Sequence, residues 1–171
     1  MPDTSPCAKE KAIHAMKAYG NVILRMSYSY LHNLTDAEDI LQDTLLSLMK
    51  ANPAFSDPNH EKAWLLRVAI NLCKNRLKSS WFKRVEILED YPDDTMSANE
   101  SILLDIVNKL PVKYREVIHL FYYEGYSTAE IAGLLQKNES TVRSLLHRAR
   151  EKLKEDLKGE YDFDEQIHLC I

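Results

Sequence analysis

The sequence predicts an all-α protein, built as two small helical domains that are joined by an acidic linker. The 171 residues include only 4 Gly and 6 Pro, too few for the many tight turns of a sandwich or barrel. Apolar residues recur at helical spacing in several separate stretches, and no stretch has the pattern of a strand. We place the domains at residues 1–84 and 104–171, with the linker at residues 85–103.

Charge along the chain supports this division. Seven basic residues and no acidic ones stand from Lys62 to Arg84, and a second basic block extends from Lys137 to Lys158. Between them, the stretch from Val85 to Asp105 is acidic and has no Lys or Arg. Two basic elements separated by an acidic spacer indicate a nucleic-acid partner, although solvated helix faces explain the charge alone equally well.

The first domain is expected to contain three helices. Apolar spacing predicts the first helix between Ile13 and Leu31. A capping box, with Thr35 as N-cap and Glu38 three residues later, opens the second helix, which extends to about Lys50. After a loop with two prolines, the third helix is marked by the apolar residues Trp64, Val68, Leu72 and Cys73.

The second domain is expected to end in a helix-turn-helix. Pro111 is predicted in the first turn of a helix, and Gly125 suits the position after its end. A second capping box, Ser127 with Glu130, opens a short helix, and a longer one follows from Glu139 to about Leu157. The inward stripe of the longer helix is Val142, Leu145, Leu146, Ala149 and Leu153. Its opposite side carries Arg143, Ser144, His147, Arg148, Arg150 and Lys154.

Such an arrangement places the second helix in the major groove of DNA. Arg pairs with guanine or grips phosphate, whereas Ser and His suit phosphates or base edges. The competing interpretation is a helical hairpin whose charged face meets only water. Gln136 stands where the turn often has Gly, so either the turn differs or Gln136 adopts a strained φ.

The first domain offers two surfaces. Asp36, Asp39, Gln42 and Asp43 share one side of the second helix, either as a solvated face or as a docking surface for a basic partner. Arg67, Lys74 and Lys78 form a cationic stripe on the third helix. Beside it, the two-proline loop offers Phe55, Asn59 and His60. Cationic charge with aromatic and amide groups suits single-stranded DNA. Trp64 is interpreted as a core residue, whereas Phe55 is equally consistent with either role.

Several classes of function are not expected. The three cysteines, Cys7, Cys73 and Cys170, have neither disulfide-framework nor zinc-site spacing. The acidic stripe has no His in register, so we expect no catalysis, no metal and no cofactor. No signal peptide and no apolar run of spanning length is visible, which predicts a cytoplasmic protein without membrane insertion.

The residues together resemble a known family, the extracytoplasmic-function (ECF) group of bacterial RNA polymerase sigma factors. The resemblance covers roughly residues 13–158 and depends on two motif sets in the right order. They are Asp36–Asp43 and Ala63–Asn71 in the first set, and Leu110–Pro111, Tyr114–Val117, Ser127–Ala132 and Thr141–Arg150 in the second.

The resemblance implies a transcription initiation factor, not an enzyme, that binds core RNA polymerase and directs it to promoter DNA. The first domain would bind the clamp helices of the largest subunit and melt the minus-ten element. The second would bind the flap of the other large subunit and recognise the minus-thirty-five element as duplex. The acidic linker would cross the active channel of the polymerase, and an anti-sigma factor is left open as a further partner.

The resemblance also assigns residues to each role. Core-polymerase binding is assigned to Asp39, Gln42 and Asp43. The minus-ten DNA is assigned to Phe55, Asn59, His60, Arg67, Asn71, Lys74, Asn75 and Lys78. The minus-thirty-five DNA is assigned to Ser140, Thr141, Arg143, Ser144, His147 and Arg148. Leu145 departs from a position that is often basic in the family, so we expect no contact there.

Two alternatives stay open at this point. The first is an autonomous helix-turn-helix regulator that binds DNA without polymerase, with the first domain dimerising. The second is a helical adaptor that sequesters an anti-sigma factor and makes no DNA contact. The net charge of −4 disfavours tight autonomous binding, because affinity for DNA depends on neutralised phosphates.

Overall fold

The computed structural model describes residues 6–79 and 105–157. Within these two ranges the chain forms helices and loops and no strand, in agreement with the predicted all-α class. The chain divides into two compact units, Met1–Tyr91 and Pro92–Ile171. The predicted linker, residues 85–103, lies outside the described residues, so its limits and its role stay predictions.

The first unit contains three helices that pack on one another. They are α1 (Pro6–Leu31), α2 (Leu34–Ala51) and α3 (Pro58–Ser79). The side chains of its core are almost wholly buried, and the largest of them are Ile23, Met26, Ile40, Leu48, Leu65, Leu66 and Ile70. Burial of each such side chain stabilises the unit by about 1.5–3 kcal/mol.

The buried face of α3 differs from the predicted stripe. Of the four predicted apolar residues only Cys73 is fully buried. Trp64 is half-buried and packs against Phe55, so it lies at the edge of the core. The core side of α3 is instead formed by Leu65, Leu66, Ala69 and Ile70. Because α3 is apolar over most of its circumference, spacing alone does not identify its inner face, whereas its basic residues mark the outer one.

The start of α2 also differs from the predicted capping box. The N-cap is Asn33, whose side-chain oxygen accepts a hydrogen bond from the Asp36 amide at 2.9 Å. Thr35 therefore lies inside the first turn, and the assignment of Thr35 as N-cap is wrong. His32 ends α1 at a φ of 51°, so the chain reverses within two residues and brings Asn33 to the cap.

The described part of the second unit contains a helical segment at residues 105–109, followed by α4 (Val112–Ile118), α5 (Thr128–Leu135) and α6 (Glu139–Leu157). Pro111 is the N-cap of α4, so its predicted place in the first turn is wrong by one position. A π-helical turn, His119–Tyr123, directly follows α4. The sequence did not predict it. Gly125 follows it with a φ of 73°, in the left-handed region that Gly adopts without strain.

A short turn of three residues separates α5 from α6, as in a helix-turn-helix. The Ser127 capping box is confirmed, because the Glu130 amide lies 3.2 Å from the Ser127 hydroxyl and the Ser127 amide 2.8 Å from the Glu130 carboxylate. Gln136 adopts a left-handed φ of 54°. Of the two alternatives for this position, a different turn or a strained φ at Gln136, the structure therefore has the strained φ. On α6 the inward side chains are Val142, Leu146, Ala149, Leu153 and Leu157, whereas Leu145 is only half-buried.

The two candidate caps of α2 are distinguished by a pair of substitutions. We expect Asn33→Ala to lower the free energy of unfolding of the first unit by about 1 kcal/mol, because the Asp36 amide loses its acceptor. Thr35→Ala should change it by less than about 0.5 kcal/mol. Urea unfolding followed by the fluorescence of Trp64 and Trp81 measures both. A larger loss for Thr35→Ala would restore the capping box that the sequence suggested.

Candidate nucleic-acid interfaces

The outward face of α6 carries all six residues assigned to duplex DNA. Ser140, Thr141, Arg143, Ser144, His147 and Arg148 are exposed. Since successive residues turn by about 100° around a helix, Ser140, Ser144 and His147 occupy the centre of this face. Arg143 and Arg148 lie on its two flanks. The face therefore offers polar groups between two guanidinium groups, which suits the edges and phosphates of a groove.

Arg143 is held by an ion pair that sequence analysis missed. Its guanidinium donates to Glu139 Oε1 at 2.6 Å, and the Thr128 hydroxyl donates to the same oxygen at 2.8 Å. Both hydrogen bonds, that of Thr128 first, lower the pKa of the Glu139 carboxyl below its usual value. The Glu139 carboxylate thus connects Thr128, the first residue of α5, to α6.

Arg150 does not belong to the outward face, contrary to the sequence prediction. Its Nε donates to the Tyr122 hydroxyl at 2.6 Å, and its guanidinium lies 5.6 Å from the ring centroids of both Phe121 and Tyr122. Arg150 thus joins α6 to the π-helical turn by a hydrogen bond and cation–π contacts. The run of aromatic residues after α4 was the signal that could have indicated this role.

The outer face of α3 carries the predicted cationic stripe. Arg67, Asn71, Asn75 and Lys78 are exposed, and Lys74 is half-buried. Helical geometry places all of these residues, together with His60 and Trp64, on the side opposite the buried Leu65, Ala69 and Cys73. The stripe combines cationic and amide groups along the outer length of α3, with aromatic rings at its beginning.

The loop before α3 adds an aromatic cluster at the head of the stripe. The Phe55 ring packs edge-on at 5.4 Å from His60 and 5.9 Å from Trp64, measured between centroids. Asp57 accepts the His60 amide at 2.9 Å, and this hydrogen bond is the main reason that the pKa of Asp57 is lowered. Asn59 is exposed. Asn59 and His60 lie in the first turn of α3 and not in the loop, so the predicted extent of the loop is wrong at its end. The structure thus brings together Phe55, His60 and Trp64, and leaves Asn59 at the surface.

Helix α1 fixes both ends of this loop. Lys11 Nζ donates to Asn52 Oδ1 at 2.7 Å and contacts the Pro53 carbonyl at 3.4 Å. The Tyr19 hydroxyl donates to the Pro58 carbonyl at 3.1 Å. No short-range pattern in the sequence indicates these contacts, because the partners are about forty residues apart.

The acidic side of α2 is exposed at Asp39, Gln42 and Asp43. Arg76 of α3 lies 2.9 Å from Asp36 and 3.4 Å from Asp39, so it partly neutralises the first two carboxylates. Leu46, with 57% of its surface exposed, continues the same side and was not singled out from the sequence. The acidic side of α2 therefore carries one exposed apolar side chain beside its carboxylates.

The described residues also bear on metal binding, thiol reactivity and membrane spanning. Across residues 6–79 and 105–157, no group of three or more His, Cys, Asp or Glu is placed to hold a metal ion. Cys73 is buried beside Ser27, and burial raises the pKa of its thiol to about 12, so Cys73 is a poor nucleophile. None of the described helices is long and apolar enough to span a membrane.

The two units together define a class of protein: a DNA-binding protein with a helix-turn-helix and a second, separate cationic helix. Residues 15–83 match Sigma-70 region 2, and residues 100–153 match Sigma-70, region 4. The chain is 32% identical over 150 residues to the RNA polymerase sigma-E factor of Streptomyces avermitilis. The match covers 81% of this chain and 80% of that protein. The chain belongs to the ECF group of the sigma-70 family.

Further relatives agree with this assignment. The ECF RNA polymerase sigma factor SigM of Mycobacterium tuberculosis is 32% identical over 143 residues, covering 77% of this chain and 73% of that protein. The sigma factor RpoE from Bartonella quintana, solved with the anti-sigma factor NepR, shares the fold with a TM-score of 0.71 and 23% identity, over 86% and 97% of the two chains. CnrH, solved with the cytosolic domain of CnrY, has a TM-score of 0.66 and 26% sequence identity to this chain. The match covers 90% of this chain and 91% of that chain.

The anchoring of the loop by α1 has a measurable consequence. We expect Lys11→Ala with Tyr19→Phe to accelerate hydrogen exchange at the amides of residues 54–57 by roughly ten- to fiftyfold, since each of the two lost anchors is worth about 1 kcal/mol and the pair about 2 kcal/mol. Lys17→Ala, on the exposed side of α1, is the matched control. Unchanged exchange at these amides, or equal acceleration in the core of α3, would show that the two contacts do not order the loop.

Proposed function

We propose that promoter recognition is divided between the two units of this sigma factor. As a member of its family, the protein is a transcription initiation factor that directs core RNA polymerase to promoters. Within that function, α6 recognises the minus-thirty-five element as duplex DNA, and the outer face of α3 with the loop at Phe55 holds the melted minus-ten strand.

The observation that carries this proposal is the different surroundings of the two cationic faces. The face of α6 presents Ser140, Ser144 and His147 between Arg143 and Arg148, polar side chains that suit a groove. The face of α3 begins at the Phe55, His60 and Trp64 rings, which offer flat surfaces to unpaired bases. A duplex presents no free base faces, so the aromatic cluster fits single-stranded DNA.

The acidic side of α2 is the surface that we assign to the polymerase. Asp39, Gln42 and Asp43 are exposed around Leu46, which supplies an apolar centre with a charged rim. A polymerase-bound factor also accommodates the net charge of −4, because the enzyme supplies much of the DNA affinity. The autonomous regulator is not favoured, since residues 15–83 match Sigma-70 region 2.

The remaining parts of the proposal follow from the family. We place the protein in the cytoplasm with the polymerase, and we assign it no catalytic activity of its own. We also include an anti-sigma factor as a partner, in analogy to CnrH, which is solved with a bound protein domain. The second alternative, an adaptor without DNA contact, requires that substitution of Arg143 and Arg148 leaves transcription unchanged.

The polymerase surface is tested by charge reversal. Asp43→Lys should weaken co-elution with core polymerase and the Asp39→Lys/Asp43→Lys variant should weaken it further, because the partner surface is expected to be basic. Since Asp39 pairs with Arg76, Asp43→Lys is the cleaner variant. Glu38→Lys is its control, since Glu38 is exposed and lies about 140° around α2 from Asp43. Equal co-elution of Asp43→Lys and wild type would remove α2 from the interface.

The division of labour is tested on two templates. Arg143→Ala should cost about 1–3 kcal/mol in promoter binding and relax specificity at one upstream base pair. Lys74→Ala/Lys78→Ala should keep upstream specificity but impair promoter opening, and a pre-melted bubble template should restore much of its activity. Run-off transcription on duplex and bubble templates, with permanganate probing of unpaired thymines, measures both.

The control for the lysine variant is Lys9→Ala/Lys17→Ala, which removes the same charge from the exposed side of α1. If the Lys74 and Lys78 variant opens the promoter normally while Arg143→Ala loses only opening, the two roles are exchanged. If neither variant affects transcription, neither surface binds promoter DNA.

A further inference from the structure

We propose that Glu139 is a specificity-determining residue that positions Arg143 for a base contact and keeps it from binding phosphates indiscriminately. This inference rests on the proposed function of α6. Glu139 itself is not among the residues assigned to DNA. It lies at the first position of α6, on the flank that carries Arg143.

The geometry distinguishes this ion pair from an ordinary surface pair. An exposed pair four residues apart on a helix is usually mobile and of little consequence. Here the same oxygen, Glu139 Oε1, also accepts the Thr128 hydroxyl of α5 at 2.8 Å, eleven residues away. The carboxylate is therefore fixed to both helices of the helix-turn-helix, and the guanidinium at 2.6 Å is placed relative to that frame.

Two effects on recognition follow from this arrangement. An arginine held in place before binding loses less side-chain entropy when it pairs with a base. Two-thirds of the Arg143 side chain remains exposed, so part of its donor fork is available to DNA. The fixed negative charge also repels phosphates near Arg143, which penalises contacts that carry no sequence information. Glu139 thus lowers affinity for DNA in general while raising the preference for one base pair.

The test measures holoenzyme, reconstituted with the full chain, on promoters that carry each of the four base pairs at every upstream position. Arg143→Ala first identifies the pair at which discrimination relaxes. Glu139→Ala should reduce discrimination at that same pair by roughly three- to tenfold. Holoenzyme with Glu139→Ala should bind promoters that lack the preferred base pair at that position as tightly as wild-type holoenzyme does, or more tightly. Thr128→Val, which removes only the hydroxyl donor, should give a smaller loss in the same direction.

The matched control is Glu151→Ala, which removes an exposed carboxylate from the outward face of the same helix. It should alter affinity for all promoters alike and leave discrimination unchanged. In the Arg143→Ala background, Glu139→Ala should have no further effect on discrimination, because the residue acts through Arg143. A merely structural Glu139 would instead weaken binding to every promoter equally.

The possible failures are distinguishable. If Arg143→Ala relaxes discrimination and Glu139→Ala does not, the inference about Glu139 is wrong and the function of α6 stands. If neither variant changes discrimination at any upstream pair, the assignment of α6 to the minus-thirty-five element fails first. Additive losses in the double variant would show that Glu139 contacts DNA or water independently of Arg143.

Discussion

The burial of one face of α3 and one face of α6 determines which side chains each unit presents on its surface. Each helix buries five apolar side chains, and a rotation by one residue would expose part of that set and bury a charged group. Burying an unpaired charge costs far more than any surface contact returns. The inner faces therefore fix the outer ones, and the cationic stripes are a consequence of core packing as much as of their own sequence.

Local polar contacts then set the fine position of each functional group. The Ser127 capping box and the left-handed Gln136 orient α6 against α5. Arg150 joins α6 to the π-helical turn through Tyr122, and Lys11 joins the loop before α3 to α1. These contacts involve cations that the sequence offers equally for DNA binding. The structure separates them from the exposed cations of α3 and α6.

The sequence predicted the helices, the helix-turn-helix and both stripes because periodicity and capping residues are local signals. Prediction from the sequence failed where a residue's contact lies far away along the chain, or where two neighbouring residues are equally good candidates for one position. Asn33 and Thr35 are both good caps, and only the reversal at His32 decides between them. Trp64 has an apolar ring, but its place beside Phe55 depends on the loop. The Glu139 contact with Thr128 and the π-helical turn after α4 arise from packing that no spacing rule contains.

The central claim, that α3 holds a melted strand while α6 binds duplex, is tested most directly by site-specific photocrosslinking in the promoter complex. A photoreactive residue is placed at Asn75 on α3 or at Ser144 on α6, both exposed and both without charge. The account predicts that position 75 crosslinks to a single strand within the opened minus-ten region. Position 144 should crosslink to the upstream duplex. Crosslinks from both positions to upstream duplex DNA, or efficient crosslinks without polymerase, would contradict it.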